Sequence, residues 1–388
     1  VRRIPVRRCL PLTLLAALWI GLLLPHPARG AAGHVVIAVV DGPRHTEFLD
    51  EPGRPHAPVL DSMLIPAGSH IPVFRNEGET RTLPGHAALL TGTAQAIAND
   101  GSEPPHAPTL FVRLRKHGGL GPEAVWIVAG KDKLATLAHS DHPDYGAAYA
   151  ASTDATLRGD AATLAAAAAV LTGPSPPVIT CVNFAAVDLA GHAGVWADYL
   201  QALSAADSLL GELWALIEAT PGLAGDTDLF IVADHGRHDD AHGGFAEHGD
   251  SCPGCRTLPF VALGPDIRPG VVAAGPGRQE DVAATVAWLL GLEGPPMEGF
   301  VLSEILVDPP QTGLGDPRPG PPGLVASPNP FSRRVELTLP GEWRPEGVKR
   351  LEYGLSPGGV SVRFFDGKDR EPAYAKSYTV PELAGEAE

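Results

Sequence analysis

Short apolar runs alternate with longer helix-forming stretches from His34 to about Leu290. Runs of five to seven residues, rich in Val and Ile, are typical of strands buried on both faces of a sheet. They predict strands at 34–40, 124–128, 178–184, 228–233 and 258–263. The stretches between them predict helices at 85–90, 109–116, 160–171, 196–217 and 279–290. This alternation indicates an α/β fold whose central sheet is flanked by helices on both faces.

The two ends of the chain differ from this pattern. Residues 1–30 combine four early arginines, an apolar run over 10–24 and small residues near Ala32, which is typical of a signal peptide. The alternative is an uncleaved anchor. We therefore expect export to the periplasm, the cell surface or the medium. We expect no membrane span once the signal is removed.

The C-terminal region is rich in Pro and Gly before it becomes strand-like again. Alternating residues at 335–339 and 360–365 predict a small β unit. The motif SPNPF at 327–331 resembles the start of C-terminal sorting domains of secreted bacterial proteins, which implies contact with a secretion machinery. The alternative is a passive β appendage. The predicted parts are a signal peptide, a catalytic domain, a linker and a small β module, at 1–30, 31–307, 308–324 and 325–388.

Charge excludes one class of partner. The chain has 29 Lys and Arg against 45 Asp and Glu, a net charge of −16, and loss of the five arginines in 1–30 would make it −21. A nucleic-acid binder needs the opposite sign, so we expect no nucleic-acid partner.

Acidic and histidine side chains collect where the predicted strands end. Ligands bind α/β sheets at the carboxyl ends of their strands, so these side chains should converge. Imidazole and carboxylate are ordinary zinc ligands, and three of each suit two ions, with other divalent ions as the alternative. The six residues are Asp41, Asp188, His192, Asp234, His235 and His248.

Thr82 is the predicted nucleophile. It stands in RTLPGHAALLTG, where Pro84 suits the first turn of a helix. Free N–H groups and the helix dipole favour an anion at that position. A metal on its oxygen would lower the pKa of the hydroxyl enough for attack by the alkoxide at neutral pH.

Five motifs in this order resemble the alkaline phosphatase superfamily, especially its nucleotide pyrophosphatase/phosphodiesterase-like members. They are VVDG at Asp41, TLPGH at Thr82, DLAGH at Asp188, DHG at Asp234 and EHG at His248. The resemblance implies one zinc on Asp41, Thr82, Asp234 and His235. It implies a second zinc on Asp188, His192 and His248. The implied activity is hydrolysis of phosphoric mono- or diesters through a phosphothreonine intermediate.

Three further residues are candidates for substrate binding. Asn99 is similar to the phosphate-contacting asparagine of that family. The segment GKDKL is similar to the lysine pair of phosphonoacetate hydrolase, which implies that Lys131 and Lys133 grip an anionic substrate.

Departures from the family keep alternatives open. A formylglycine sulfatase is disfavoured because its C/S-x-P-x-R motif is missing, but a phosphonoacetate-hydrolase-like or sulfatase-like activity and an inactive surface binding protein remain. Twelve residues separate His235 from His248, too few for the cap insertion of the phosphodiesterases. We therefore expect an open site that takes small phosphoesters with weak discrimination among leaving groups.

Other residues have simpler interpretations. His86, one helical turn beyond Thr82, is expected either to pack in the core or to support the site residues from behind. Residues 237–242 are expected to form a solvated loop, with a substrate-facing loop or an extra ion site as the alternative. Cys252 and Cys255, in CPGC, are expected to form a local disulfide, because exported proteins favour disulfides. A third metal site there would need more ligands. Cys181 is expected to be a buried thiol.

Overall fold

The computed structural model describes residues 32–309 in full and the backbone of three further strands between 350 and 378. The predicted signal peptide, the strand at 335–339, the SPNPF motif and nearly all of the linker lie outside the described residues. No helix among the residues described is long and apolar enough to cross a membrane.

Residues 32–309 contain eleven strands and eight α-helices, joined by shorter 3-10 and π turns. The strands are β1 (His34–Val40), β2 (Ser69–His70), β3 (Phe74–Arg75), β4 (Val125–Ala129), β5 (Ser152–Ala155), β6 (Ile179–Phe184), β7 (Thr227–Ala233), β8 (Thr257–Leu258), β9 (Phe260–Leu263), β10 (Val271–Val272) and β11 (Gly277–Arg278). The helices are α1 (Ile65–Ala67), α2 (Thr82–Thr91), α3 (Leu110–Gly118), α4 (Asp160–Leu171), α5 (Ala186–Ala193), α6 (Trp196–Ala219), α7 (Pro253–Arg256) and α8 (Gln279–Leu289).

Eight strands form the central sheet, in the order β10-β2-β9-β7-β1-β6-β4-β5. The five strands from β7 to β5 are mutually parallel, and β9 runs antiparallel to β7. A smaller sheet contains β11, β3 and β8. The predicted α/β class, with a central sheet flanked by helices, is confirmed.

The core lies on both faces of this sheet, as β1 illustrates. Val35, Ile37 and Val39 pack against one cluster, which contains residues of α2, α3 and α8. Val36, Ala38 and Val40 pack against the other, which contains residues of α4 and α6. Successive strand residues point to opposite faces, so a continuous apolar run is what a two-sided core requires. Each buried Val or Leu contributes about 1.5–3 kcal/mol.

The long elements lie where the apolar pattern predicts them. β1 coincides with the predicted strand at 34–40, and α4 coincides with the predicted helix at 160–171. α6 extends the predicted helix by two residues, to Ala219. In the C-terminal unit, β12 (Arg350–Ser356), β13 (Gly359–Phe365) and β14 (Tyr374–Tyr378) form an antiparallel sheet, and β13 includes the predicted strand at 360–365.

Candidate metal centre

Two aspartates are brought together by the pairing of β1 with β7. Val40 lies opposite Ala233 in the parallel register, so the next residues, Asp41 and Asp234, sit side by side beyond the strand ends. Both are fully buried. The backbone N–H groups of Gly42 and His235 donate to Asp234 Oδ1 at 3.2 and 2.9 Å, which fixes this carboxylate.

Asp41, Asp234 and His235 form what we call the buried donor group. His235 Nε2 lies 3.5 Å from both Asp41 Oδ1 and Asp234 Oδ2. All three atoms are buried and make no hydrogen bond. Since an unsatisfied buried polar atom costs about 1–3 kcal/mol, these three atoms around His235 indicate a missing ligand. Asp188 is also close, because ligand atoms of Asp41, Asp188 and His235 lie within 4.8 Å of one another. A cation would satisfy them all.

Asp188, His192 and His248 form the outer donor group. Asp188 and His192 lie on α5, whose start follows directly from β6, and His248 comes from the loop after β7. Their ligand atoms lie within 4.8 Å of one another. His192 Nε2 and His248 Nε2 are 3.2 Å apart, and each lies about 3.5 Å from Asp188 Oδ1. Burial, and then the neighbouring His235, lower the pKa of His248 to about 4, so at neutral pH it has the neutral form that binds metal.

Lys131 lies between the two donor groups. Its Nζ is 2.9 Å from Asp41 Oδ2, 2.6 Å from Asp188 Oδ2 and 3.4 Å from Thr82 Oγ1. Burial disfavours the ammonium charge, but Asp41 and Asp188 outweigh it and raise the pKa of Lys131. Burial alone would raise the pKa of Asp41; Lys131 and His235 instead hold it well below its usual value. The predicted substrate lysine is thus embedded among the predicted metal ligands.

The predicted nucleophile lies at the first position of α2. Thr82 is buried, and Arg81 before it has extended backbone angles. Asn99 Oδ1 accepts a hydrogen bond from Leu83 N at 2.9 Å, and Lys133 Nζ donates to Asn99 O at 3.0 Å. Asn99 and Lys133 therefore border the helix start, on the side of the predicted nucleophile.

His86, one turn further along α2, packs behind Asp234. Its Nδ1 donates to Thr82 O at 2.8 Å and lies 3.3 Å from Asp234 Oδ2. This agrees with the expected packing position.

Sequence reasoning missed two buried residues. The expectation of a solvated loop is wrong for Arg237, which is fully buried and whose guanidinium donates to Asp188 and to the carbonyls of Phe245 and Ala246. It holds for the exposed Asp240 and His242. Asn183, inside β6, donates to Asp41 Oδ2 at 3.1 Å. The one signal for Asn183 was a polar residue within an otherwise apolar run, ITCVNF.

The donor set suits divalent ions. Carboxylate oxygens and imidazole nitrogens are ligands for zinc and similar metals, and the outer partners Asn183 and Arg237 orient the carboxylates as metal sites require. The residues present therefore fit metal binding in both donor groups.

A family model and several known proteins match this chain. Residues 151–294 match the model of the metalloenzyme superfamily. The 2,3-bisphosphoglycerate-independent phosphoglycerate mutase of Haloarcula marismortui is 33% identical over 120 residues, 31% of this chain and 22% of that protein. Sulfatase ppz1 of Metarhizium majus is 33% identical over 96 residues, 24% of this chain and 22% of that protein. The chain thus spans only about a fifth of the curated relatives it matches.

Solved structures match over a larger share. Murine ectonucleotide pyrophosphatase/phosphodiesterase 5 aligns with a TM-score of 0.55 at 16% identity, over 70% of this chain and all of that chain. An inactive threonine-to-alanine variant of that mouse protein, in complex with AMP, aligns with a TM-score of 0.53 at 15% identity, over 69% of this chain and 97% of that chain. A phosphonate monoester hydrolase of Agrobacterium radiobacter also aligns with a TM-score of 0.53 at 15% identity, over 69% of this chain and 76% of that chain. An alkaline phosphatase superfamily protein of Vibrio parahaemolyticus aligns with a TM-score of 0.53 at 16% identity, over 92% of this chain and 84% of that chain.

Proposed function

We propose that this chain is a metal-dependent hydrolase of phosphoric esters. Its fold resembles that of the alkaline phosphatase superfamily, and residues 151–294 match the metalloenzyme superfamily model. The proposal depends mainly on the buried donor group, where His235 Nε2 lies 3.5 Å from an oxygen of Asp41 and of Asp234 and none of the three atoms has a hydrogen bond. The phosphodiesterase and phosphonate hydrolase structures that share the fold support it.

Two zinc ions are the proposed cofactors. Asp41, Asp234 and His235 would hold one of them with the Thr82 hydroxyl, and the outer donor group would hold the other. When bound, such ions lower the pKa of a hydroxyl and stabilise negative charge on substrate oxygens. Asp188 lies close enough to Asp41 and His235 to influence both positions.

Thr82 is the proposed nucleophile. A hydroxyl at the first position of a helix faces the positive end of the helix dipole, which favours an anionic substrate there. Attack forms a bond from Thr82 Oγ1 to phosphorus and breaks the bond to the leaving group; the proton that the hydroxyl loses and the one that the leaving group gains are exchanged with water. Water then attacks the threonine ester, which restores the Thr82 hydroxyl and releases phosphate from a monoester or a phosphate monoester from a diester. The inactive threonine variant of the mouse structural relative is consistent with this role.

Asn99, Lys131 and Lys133 are the proposed substrate-binding residues. Asn99 is fixed to Leu83 N, next to the nucleophile, so its amide is held close to the reacting phosphoryl group. Lys131 would have to exchange an aspartate contact for a substrate oxygen when ions enter, because its ammonium group now neutralises Asp41 and Asp188. Lys133, already held by Asn99 O, would add positive charge at the rim.

The site is proposed to be open and the protein to be exported. The segment between His235 and His248 carries no cap domain, and one short 3-10 turn, Asp240–His242, lies within it. Little of a leaving group would then be buried, so small phosphoesters with leaving groups of equal pKa should be hydrolysed with similar kcat/KM. A preference above about a thousandfold, ~4 kcal/mol, would contradict an open site.

Thr82→Ala, with Thr82→Ser as the matched control that keeps a hydroxyl, tests the proposal. Activity is measured on a phosphate monoester, a phosphate diester, a phosphonate monoester and an aryl sulfate. We expect the alanine variant to lose roughly a thousandfold or more in kcat while retaining its metal. The serine variant should retain part of the activity and trap phosphate on the side chain after a rapid quench.

Each alternative gives a different result in this experiment. Full activity of Thr82→Ala would refute the nucleophile. Turnover of the phosphonate or the sulfate alone would favour the other hydrolase classes. Bound metal with no turnover on any substrate would favour a surface binding protein.

A further inference from the structure

A second set of metal-binding side chains lies next to the metal centre, on the segment that follows β7. We call His238, Asp250, Cys252 and Cys255 the CPGC cluster. One ligand atom from each lies within 4.8 Å of the other three. None of the four is a donor in the metal centre described above.

The two cysteines are free thiols in a closed turn. Cys252 precedes α7, and its Sγ accepts a hydrogen bond from Cys255 N at 3.4 Å. Both thiols are buried. The expected disulfide between them is therefore not what the structure contains, and the further ligands that a metal site needs are present nearby.

His238 supplies the second observation. Its Nε2 is buried and makes no hydrogen bond, although Asp250 Oδ2 lies 3.3 Å away. Asp250 is fixed through its other oxygen, Oδ1, which accepts from Cys252 N at 2.9 Å. The buried imidazole nitrogen of His238 thus lies beside the half-exposed carboxylate of Asp250, whose side chain also hydrogen-bonds the two thiols.

We propose that the CPGC cluster binds a structural zinc ion. Two thiolates, one imidazole and one carboxylate make four ligands of the kinds that zinc binds, and a closed set of four protein ligands is typical of structural zinc. Sulfur ligands also distinguish this site from the metal centre, whose donors are oxygen and nitrogen atoms. The Cys-x-x-Cys spacing, here around the short helix α7, is common among zinc ligands.

The backbone around the cluster is tightly packed. Gly236 N donates to Cys255 O at 2.8 Å, and a side chain at Gly254 would collide with the backbone of Arg237 and Asp239. Arg44 Nε donates to His238 O at 2.8 Å. The ligands are therefore held close together before any ion binds, which lowers the entropic cost of forming the site.

A neighbouring set of side chains fits an ion less well. Asp239, His242 and Cys252 also bring ligand atoms together. However, Asp239 Oδ1 already accepts from His242 Nδ1 at 2.6 Å and from Ala241 N at 3.0 Å. The side chains of Asp239 and His242 therefore already bond to each other, and His242 is exposed.

Such an ion would fasten the short segment that replaces a cap. His238 lies three residues after His235, and Asp250 lies two residues after His248. Joining His238 to Asp250 and the cysteines closes the loop at its base, close to one ligand from each donor group. The zinc of the CPGC cluster is thus placed to set the distance between His235 and His248.

Cobalt substitution tests the site directly. The protein is loaded with Co²⁺ under reducing conditions, and a sulfur-to-cobalt charge-transfer band is measured in the near ultraviolet. The metal centre has no sulfur donor, so this band reports binding at the cysteines. The Cys255→Ser variant separates the CPGC cluster from the neighbouring set, which shares only Cys252. We expect the band in the wild type and in the control Cys181→Ala, and its loss in Cys252→Ser and Cys255→Ser. Zinc per chain should fall by one ion in each serine variant.

Asp250→Asn covers the case in which the serine variants do not fold. This residue is half exposed, and losing its charge should weaken cobalt binding, measured from the band, by about tenfold or more. Absence of the band in reduced wild-type protein would overturn the proposal. A disulfide between Cys252 and Cys255 in the protein as purified from zinc-containing medium would overturn it as well.

Discussion

The two ends of β7 hold buried carboxylates in opposite electrostatic surroundings. At the carboxyl end, Asp234 and Asp41 are fully buried beside Lys131 and His235. At the amino end, Asp228 is equally buried, but the groups that influence it most are acidic. Burial, and then Asp266, raise the pKa of Asp228 from 3.8 to about 8.

The difference shows that burial alone does not make a metal site. Desolvation raises the pKa of a carboxyl group at both ends of the strand. Only at the carboxyl end do cations reverse this effect and hold the pKa of Asp41 low. A carboxylate kept ionised without water can bind a metal ion, whereas burial and Asp266 favour the protonated form of Asp228, which is a poor metal ligand.

Replacing one aspartate at each end of β7 with asparagine should give the largest difference between the two ends. Asp234→Asn keeps an oxygen for Gly42 N and His235 N but removes one of the proposed metal ligands. We expect metal affinity and turnover to fall by more than about a hundredfold, beyond the loss typical of an outer partner. Asp228→Asn is the matched control and should leave both unchanged. Equal metal content in the two variants, measured by elemental analysis, would contradict the assignment of the buried donor group.

Loss of the buried cation Arg237, near the carboxyl end of β7, should have the next largest effect on stability. Arg237→Ala leaves Asp188 without its buried guanidinium partner, and breaking a buried ion pair costs about 3–5 kcal/mol. The exposed pair Arg75–Glu77 supplies a control, since Arg75→Ala should cost at most about 1 kcal/mol. Urea unfolding of both variants measures the costs. Similar losses in the two would show that Arg237 is not held as tightly as its contacts indicate.

Much of this carboxyl end could be predicted from the sequence. The strands there are continuous apolar runs, and the aspartates follow them directly, so β1 and the placement of Asp41 required only the pattern. Short strands such as β2 and β10 could not be predicted, because two residues carry no periodicity and their pairing depends on the folded neighbours. Arg237 was missed for a similar reason: nothing local distinguishes an arginine that turns inward from one that faces water.

A substitution at Gly85, where α2 lies very close to the end of β7, should have a smaller effect on stability. A side chain at Gly85 would overlap the carbonyl oxygen of Asp234. Gly85→Ala should therefore destabilise the protein by about 1–3 kcal/mol and lower turnover by displacing Thr82 from Asp234. In a helix with free space, Gly→Ala instead stabilises by up to about 1 kcal/mol. Gly118→Ala, whose new methyl would make ordinary contacts with Leu114 and Leu120, is the control. Thermal melts that rank the two variants in the opposite order would contradict this packing.

The amino end of β7 gives an effect that is small for each pH unit but accumulates as the pH rises. Between the ordinary pKa of 3.8 and about 8, native Asp228 keeps a proton that the unfolded chain releases. The unfolded state then binds fewer protons, so this group makes stability fall as pH rises, by up to about 1.4 kcal/mol per unit. Asparagine keeps an oxygen for Asp266 N but does not titrate. The stability of Asp228→Asn minus that of the wild type should therefore increase steadily from about pH 5 to about pH 8 and level off above it. Urea unfolding at several pH values measures this difference. A constant difference across that range would mean that Asp228 is ionised in the folded protein, and that the two ends of β7 do not differ in the way proposed.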